Sequence, residues 1–261
     1  MRAIGLHPDV VVATSRVWQT TCTLVRSGEE AFCVDSPVLP DELELLPAIA
    51  QQARFSVVGL LVTHADWDHL LARYGFPEAS LGAAASTADV LQGRPGEVQR
   101  ELRRFDDEYY VERPAPLGLP AAQALPVPGR CGLGEHELEL HPAEGHTDDG
   151  MAIWIPWASV LICGDYLSPA EIPVLGRGGS AAAYLDTLNR LEPLVGQADW
   201  VVPGHGEPLD AQRAQAILRE DRGYLETLCE RGSDAALPIA RRTAAQAQIH
   251  AENVARVRSE P

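Results

Sequence analysis

The chain contains no lysine; all 21 of its basic residues are arginine. That absence excludes Schiff-base chemistry, a lysine general base and a phosphate-binding P-loop lysine. No apolar run reaches about 18 residues, so no transmembrane helix is expected. The opening Met1-Arg2-Ala3-Ile4-Gly5 leads into nothing like the apolar core of a signal peptide. The five cysteines, Cys22, Cys33, Cys131, Cys163 and Cys229, are scattered and form no C-x-x-C pair. Reduced thiols in a cytoplasmic protein are expected from that usage. Asparagine occurs only at Asn189 and Asn253. Positive charge is scarce: 37 acidic residues against 21 basic give a net charge of −16. Such a chain is a poor partner for nucleic acid or for an anionic membrane surface.

What is present is an ordinary globular composition. Of 261 residues, 46% are apolar and 22% charged, enough for a sizeable core. Apolar runs of strand length fall at 10–12, 21–25, 31–34, 57–62 and 80–85, and helical spacing at 41–53, 86–92 and 97–108, with another helix expected from about Trp67. Residues 113–134, with Pro114, Pro116, Pro120, Pro126 and Pro128, read as a loop. A second set of strands follows at 137–141, 151–155, 159–163 and 200–202, with helices at 180–195, 210–230 and 238–258. Strands then helices, twice over, predicts two similar halves, each a sheet with helices on its outer face.

Four polar clusters stand directly after apolar strands, where α/β folds place their ligands. They are His64, Asp66, Asp68 and His69; Gly145-His146-Thr147; Gly164-Asp165; and Pro203-Gly204-His205-Gly206. Imidazole and carboxylate together are what a divalent transition metal binds. The spacing predicts a two-metal site: one ion on His64, Asp66 and His146, the other on Asp68, His69 and His205. Asp165, with two acceptor oxygens, would bridge them. Two cations about 3.5–4 Å apart can clamp a reacting oxygen. Taken singly, Asp66 or Asp68 reads equally well as a cap on the helix expected there. His7, His136, His141, His250 and Cys163 read as exposed or structural.

The ordered set T-H-x-x-x-D-H, G-H-T, G-D and P-G-H-G resembles the metallo-β-lactamase fold superfamily over roughly residues 10–210. The resemblance implies an αββα four-layer sandwich for residues 1–210, with helices of 211–261 packed on the same domain. It implies a metal-dependent hydrolase acting on a small ester, lactone, thioester or phosphoester through a hydroxide held on two divalent ions, with Asp68 shuttling the proton. The usual motif is H-x-H-x-D-H, and this chain has Asp66 at the second histidine. Zinc is the first expectation; the harder carboxylate admits iron or manganese. Two alternatives belong to the same resemblance: an iron redox enzyme like the persulfide dioxygenases, using His64, His146 and Asp165, and a non-catalytic metal-binding member of the fold. A β-lactam does not suit a cytoplasmic chain, a nuclease would want a basic platform, and glutathione-binding branches use lysine. Residues 113–134 and 166–183 are expected to choose the small-molecule substrate, with Tyr166 and Tyr184 as candidate donors to it. Arg219, Arg222, Arg231, Arg241 and Arg242 are expected on a solvated face or a homodimer surface.

Overall fold

A computed structural model describes residues 1–259. Strands β1 (Arg2–His7), β2 (Val10–Thr14), β3 (Thr21–Ser27), β4 (Glu30–Asp35), β5 (Ser56–Val62), β6 (Ser80–Ala84) and β7 (Gln123–Leu125) lie side by side in that order. The pairs from β1 to β4 are antiparallel, and those from β4 to β7 parallel. A second sheet has β8 (Gly129–Leu133), β9 (His136–Pro142), β10 (Met151–Ile155), β11 (Val160–Ile162), β12 (Trp200–Val202) and β13 (Leu209–Asp210) in spatial sequence. Only its β11–β12 pair is parallel.

Period-two patterning builds the layers. In β5, Leu61 faces the second sheet while Leu60 and Val62 face away from it. In β10, Met151, Ile153 and Ile155 lie between the sheets, and Ala152 and Trp154 face outward. Both faces are covered, so β10 is buried throughout and reads as an unbroken apolar run. Helices α1 (Pro40–Ala53), α2 (Ala85–Gly93) and α3 (Glu97–Tyr109) follow strands of the first sheet. Leu43 and Leu46 of α1 and Leu102 and Phe105 of α3 pack on its outer face. On the other side, α4 (Ala181–Val195), α5 (Ala211–Arg231) and α6 (Ala244–Ser259) cover the second sheet through Leu188, Leu191, Ile217, Leu225 and Val254. The result is the expected αββα sandwich. Truncating a central residue such as Ile153 would cost about 2–5 kcal/mol, because the close-packed layers cannot collapse into the gap.

Four local expectations are corrected. The segment after Thr63 forms two 3₁₀ turns, Trp67–His69 and Leu71–Tyr74, rather than an α-helix. Ser36 Oγ donates to the Asp68 carbonyl (2.8 Å) and accepts from the Leu71 amide (2.9 Å), which holds the tighter turn. Residues 113–134 contain β7 and β8, so this stretch crosses from the edge of one sheet to the edge of the other; proline is tolerated at such edges. Finally, the helix expected over 238–258 is split into a 3₁₀ turn, Ile239–Arg241, and α6. Arg241 is not on a solvated face: it is 2% exposed, and its Nη1 lies 2.6 Å from Asp221 Oδ1. Among the described residues no helix is long and apolar enough to cross a membrane.

Candidate metal centre

Two of the parallel pairs, β4–β5 and β11–β12, end at the same rim of the sandwich, and the polar residues follow those ends. Backbone bonds between the sheets, and one within the second sheet from Gly204 to Gly164, fix the rim. The Met151 amide donates to the Thr63 carbonyl (2.8 Å), Gly204 to Gly164 (2.6 Å), and Thr21 to Gly204 (2.8 Å). Gly204 is required there, since a Cβ at that position would meet Asp165 Oδ1 and the His69 ring. Gly145, at φ +126°, lies against the backbone of Tyr184 and brings His146 close.

The structure brings together all seven residues singled out in the sequence. His64, Asp66, His146 and Asp165 each offer a ligand atom within 4.8 Å of the others, as do Asp68, His69 and His205. The second set is the triad read from spacing, and the first is the other triad with Asp165 added. Asp66 Oδ2 lies 3.5 Å from His64 Nε2 and 3.2 Å from His146 Nε2. Asp68 Oδ2 lies 3.4 Å from His205 Nε2 and 3.8 Å from His69 Nε2. Asp165 touches both sets: its Oδ2 is 3.3 Å from His146 and 3.3 Å from His205, and its Oδ1 is 3.2 Å from His69. Two ligands each about 2.1 Å from one tetrahedral ion lie about 3.4 Å apart, so these separations suit a shared cation. Asp66 caps nothing: no side-chain bond to the following turn is made.

Every histidine is oriented the same way. Nδ1 faces outward onto a protein oxygen: Thr63 Oγ1 for His64 (3.0 Å), Asp35 Oδ2 for His69 (3.1 Å), the Val174 carbonyl for His146 (2.9 Å) and the Trp18 carbonyl for His205 (3.2 Å). Each Nε2 is left facing the centre, the arrangement by which outer partners fix a metal-binding tautomer; at His69 the outer contact is the ion pair with Asp35 and not a hydrogen bond. His64 Nε2, His69 Nε2 and Asp165 Oδ1 are buried and have no hydrogen-bond partner among the described residues. Buried polar atoms of that kind carry a desolvation cost unless something binds them. A divalent cation fits this donor set.

The groups hold one another charged. Burial alone would depress His146, but Asp165 and Asp66 outweigh it and raise the ring to about 9. Burial likewise opposes Asp165, Glu171 and Asp68 at His205, which rises to about 10. Burial would lift the Asp66 and Asp165 carboxyls, yet the surrounding imidazoles hold both below the usual carboxylate range. A cation here replaces protons, so binding releases them.

Asp35 is not among the site residues singled out in the sequence. It is nevertheless a support of the centre, accepting from the Thr63 amide and from Thr63 Oγ1 (both 2.8 Å) as well as facing His69. Its place after the apolar run Ala31–Val34 is the same signal that marked Asp165. The backbone carbonyls of Trp18 and Val174 carry no sequence signal. Tyr166 and Tyr184 are 2% and 1% exposed and do not face a substrate. Tyr166 Oη accepts from the His146 amide (3.0 Å) and donates to the Ala143 carbonyl (3.1 Å), while Tyr184 Oη donates to the Asp165 carbonyl (2.9 Å). Beside the cluster lies a cavity of about 290 Å³, lined by Asp66, Trp67, Asp68, Val90, Leu91, Arg94, Val98 and Arg177 among others.

Fold and centre together define a metalloprotein of the αββα class. The chain belongs to the metallo-beta-lactamase superfamily, whose family model matches residues 15–205. It is 25% identical over 198 residues to a hydroxyacylglutathione hydrolase of Rhodospirillum rubrum, covering 76% of this chain but only 64% of that protein's length. It is 22% identical over 191 residues to a type 2 metallo-beta-lactamase of Pseudomonas aeruginosa, covering 72% of this chain and 68% of the relative. Among solved structures, the DIM-1 metallo-beta-lactamase superposes with a TM-score of 0.62 at 20% identity over 87% of this chain and 96% of that one. The sec-alkyl sulfatase PisA1 superposes with a TM-score of 0.71 at 16% identity over 88% of this chain and 42% of that one. The family and its named hydrolases support hydrolase chemistry at family level.

Proposed function

We propose that this protein is a cytoplasmic metal-dependent hydrolase acting on a small, uncharged or cationic ester, lactone or thioester. The observation that carries the reading is Asp165, which touches both ligand sets, while Asp66 of one set and Asp68 of the other line a cavity of about 290 Å³. His64, Asp66 and His146 would hold one divalent ion and Asp68, His69 and His205 the other, with Asp165 shared. Zinc is the first choice, and Asp66 admits manganese or iron. Bound divalent cations supply Lewis acidity and lower the pKa of water toward neutrality. Asp68 lines the cavity and keeps one oxygen on His205. It takes the proton released by the attacking water and returns it to the leaving-group oxygen or sulfur.

The charge of the cavity wall supports the substrate class. Arg177 is engaged by Glu97 and, at 2.8 Å, by Glu101. Arg94 approaches Glu97 and Asp148 at 3.9 Å each. With Asp149 also on the wall, four acids face two arginines beyond the ligand residues. An anionic substrate meets net repulsion there, which disfavours phosphodiesters and carboxylate-rich thioesters such as those of glutathione. The overall charge of −16 supports a small-molecule partner over nucleic acid or membrane; a homodimer is compatible with the reading.

One other reading has a specific observation behind it. His64, His146 and Asp165 form a two-histidine, one-carboxylate set, with Asp165 Oδ2 at 3.7 Å and 3.3 Å from the two rings. Such a set suits a single iron and oxygen chemistry. A panel of neutral esters, lactones and thioesters run beside an oxygen-uptake assay on the metal-replete protein separates the two. Ester or lactone turnover without oxygen uptake supports hydrolysis; oxygen uptake on one bound iron overturns it.

A further inference from the structure

We infer that Asn253, on the C-terminal helix and beyond the family-matched residues 15–205, is a positioning residue for His146. The inference rests on the metal-site reading above. The link is a single peptide unit. His146 Nδ1 is 2.9 Å from the carbonyl of Val174, where it donates. The N–H of that same peptide, on Leu175, donates to Asn253 Oδ1 at 2.9 Å. Imidazole, peptide and side-chain amide thus form one hydrogen-bonded chain, in which each bond polarises the next. A stronger acceptor at Val174 secures the proton on Nδ1 and turns Nε2 toward the centre.

The amide is built in rather than incidental. Asn253 is 1% exposed. Its Nδ2 donates to the Pro173 carbonyl (2.6 Å) and to Tyr224 Oη (3.1 Å), so a single orientation of the amide makes these bonds and the one from Leu175. The side chain therefore grips the loop on both sides of Val174. Two neighbours extend the hold. Gln246 Oε1 accepts from the Ile172 amide (2.7 Å), and Arg241 Nη1 donates to the Glu171 carbonyl (2.7 Å). The loop in turn closes on His146 from its other side, where the Gly176 amide donates to the His146 carbonyl (2.7 Å). No canonical ligand comes from α6. Its contribution to the centre runs through the backbone of residues 172–176.

Two variants separate this from a merely structural role. Asn253→Leu keeps a branched side chain and removes all three hydrogen bonds. Asn253→Asp keeps the Oδ acceptor for Leu175 and loses the Nδ2 donor. Both should lower the melting temperature. Two further quantities should respond to Asn253→Leu alone. The His146 Nδ1–H proton, followed by NMR in metal-free, histidine-labelled protein, should exchange at least about tenfold faster. Zinc affinity at one of the two sites, measured by chelator competition, should fall by about 10–100-fold. Unchanged exchange and zinc affinity in Asn253→Leu would overturn the inference, whatever the melting temperature does. Loosening in Asn253→Asp would overturn it too, and this decides the matter even if the leucine variant does not fold. Were the wild type to bind no zinc, the metal reading would fail, while the exchange measurement would still judge the role of Asn253.

Discussion

Asp66 Oδ2 lies 3.2 Å from Nε2 of His146, and the Asp66 side chain makes no bond to the 3₁₀ turn that begins at the next residue. The carboxylate is therefore spent on the centre and not on a cap. Asp66→Ala should lose one bound ion and lower kcat/KM by at least about 100-fold, since the loss of a direct ligand exceeds the 10–100-fold typical of an outer one. Asp66→His should keep both ions and shift preference toward zinc over manganese. Metal competition assays on the two variants check this.

Asp35 is an outer support with a φ of +57°, a conformation that asparagine also tolerates. Asp35→Asn should consequently fold. It removes the negative charge facing His69 Nδ1 and should cost about 10–100-fold in metal affinity or activity. Comparing melting temperatures of the metal-free proteins separates this from general damage.

The pH dependence of the metal-free protein has a definite sign. His146 and His205 titrate near 6.5 when unfolded and are raised to about 9 and about 10 in the fold. Their protonation stabilises the folded state fully below pH 6.5, and that stabilisation is lost as pH rises through 9 and 10. The melting temperature of the metal-free protein should fall over that window, leaving uncompensated aspartates behind. Apparent zinc affinity should rise with pH over the same window, because fewer protons must be displaced. Melting curves and zinc titrations from pH 6 to 10 test both trends.

Much of this was legible in the sequence because the chemistry follows apolar strands. His64, His146, Asp165 and His205 each stand just beyond a strand or the loop it feeds, and their partition into two sets needed only spacing. The αββα layering followed from strands buried on both faces, such as β10. Other features were hidden for physical reasons. Asp35 was not singled out because its side chain serves the end of the neighbouring strand, at Thr63. The 3₁₀ turns over 67–74 depend on Ser36, which is remote in sequence. Tyr166 and Tyr184 looked available because their burial depends on α4, which carries Tyr184, packing its ring against that of Tyr166. Arg241 looked solvated because its partner, Asp221, lies on another helix. Asn253 carries no motif at all; its meaning comes from one peptide group of a distant loop.

The cavity wall gives a prediction about substrates. Of two esters with the same leaving group, one ending in a carboxylate should show kcat/KM about tenfold or more below its neutral counterpart, the size of one exposed like-charge interaction of about 1 kcal/mol or somewhat more. Added salt should narrow the gap. Glu97→Gln should narrow it further by releasing Arg177. Steady-state kinetics at two ionic strengths checks the sign.

The central claim is that Asp165 joins two ligand sets into one dinuclear site. Zinc titration of metal-stripped protein, with bound metal counted per chain after desalting, tests it most directly. Two equivalents in the wild type, with both weakened in Asp165→Asn, is the expected result. At most one equivalent at saturation, or two that are indifferent to Asp165→Asn, would contradict it.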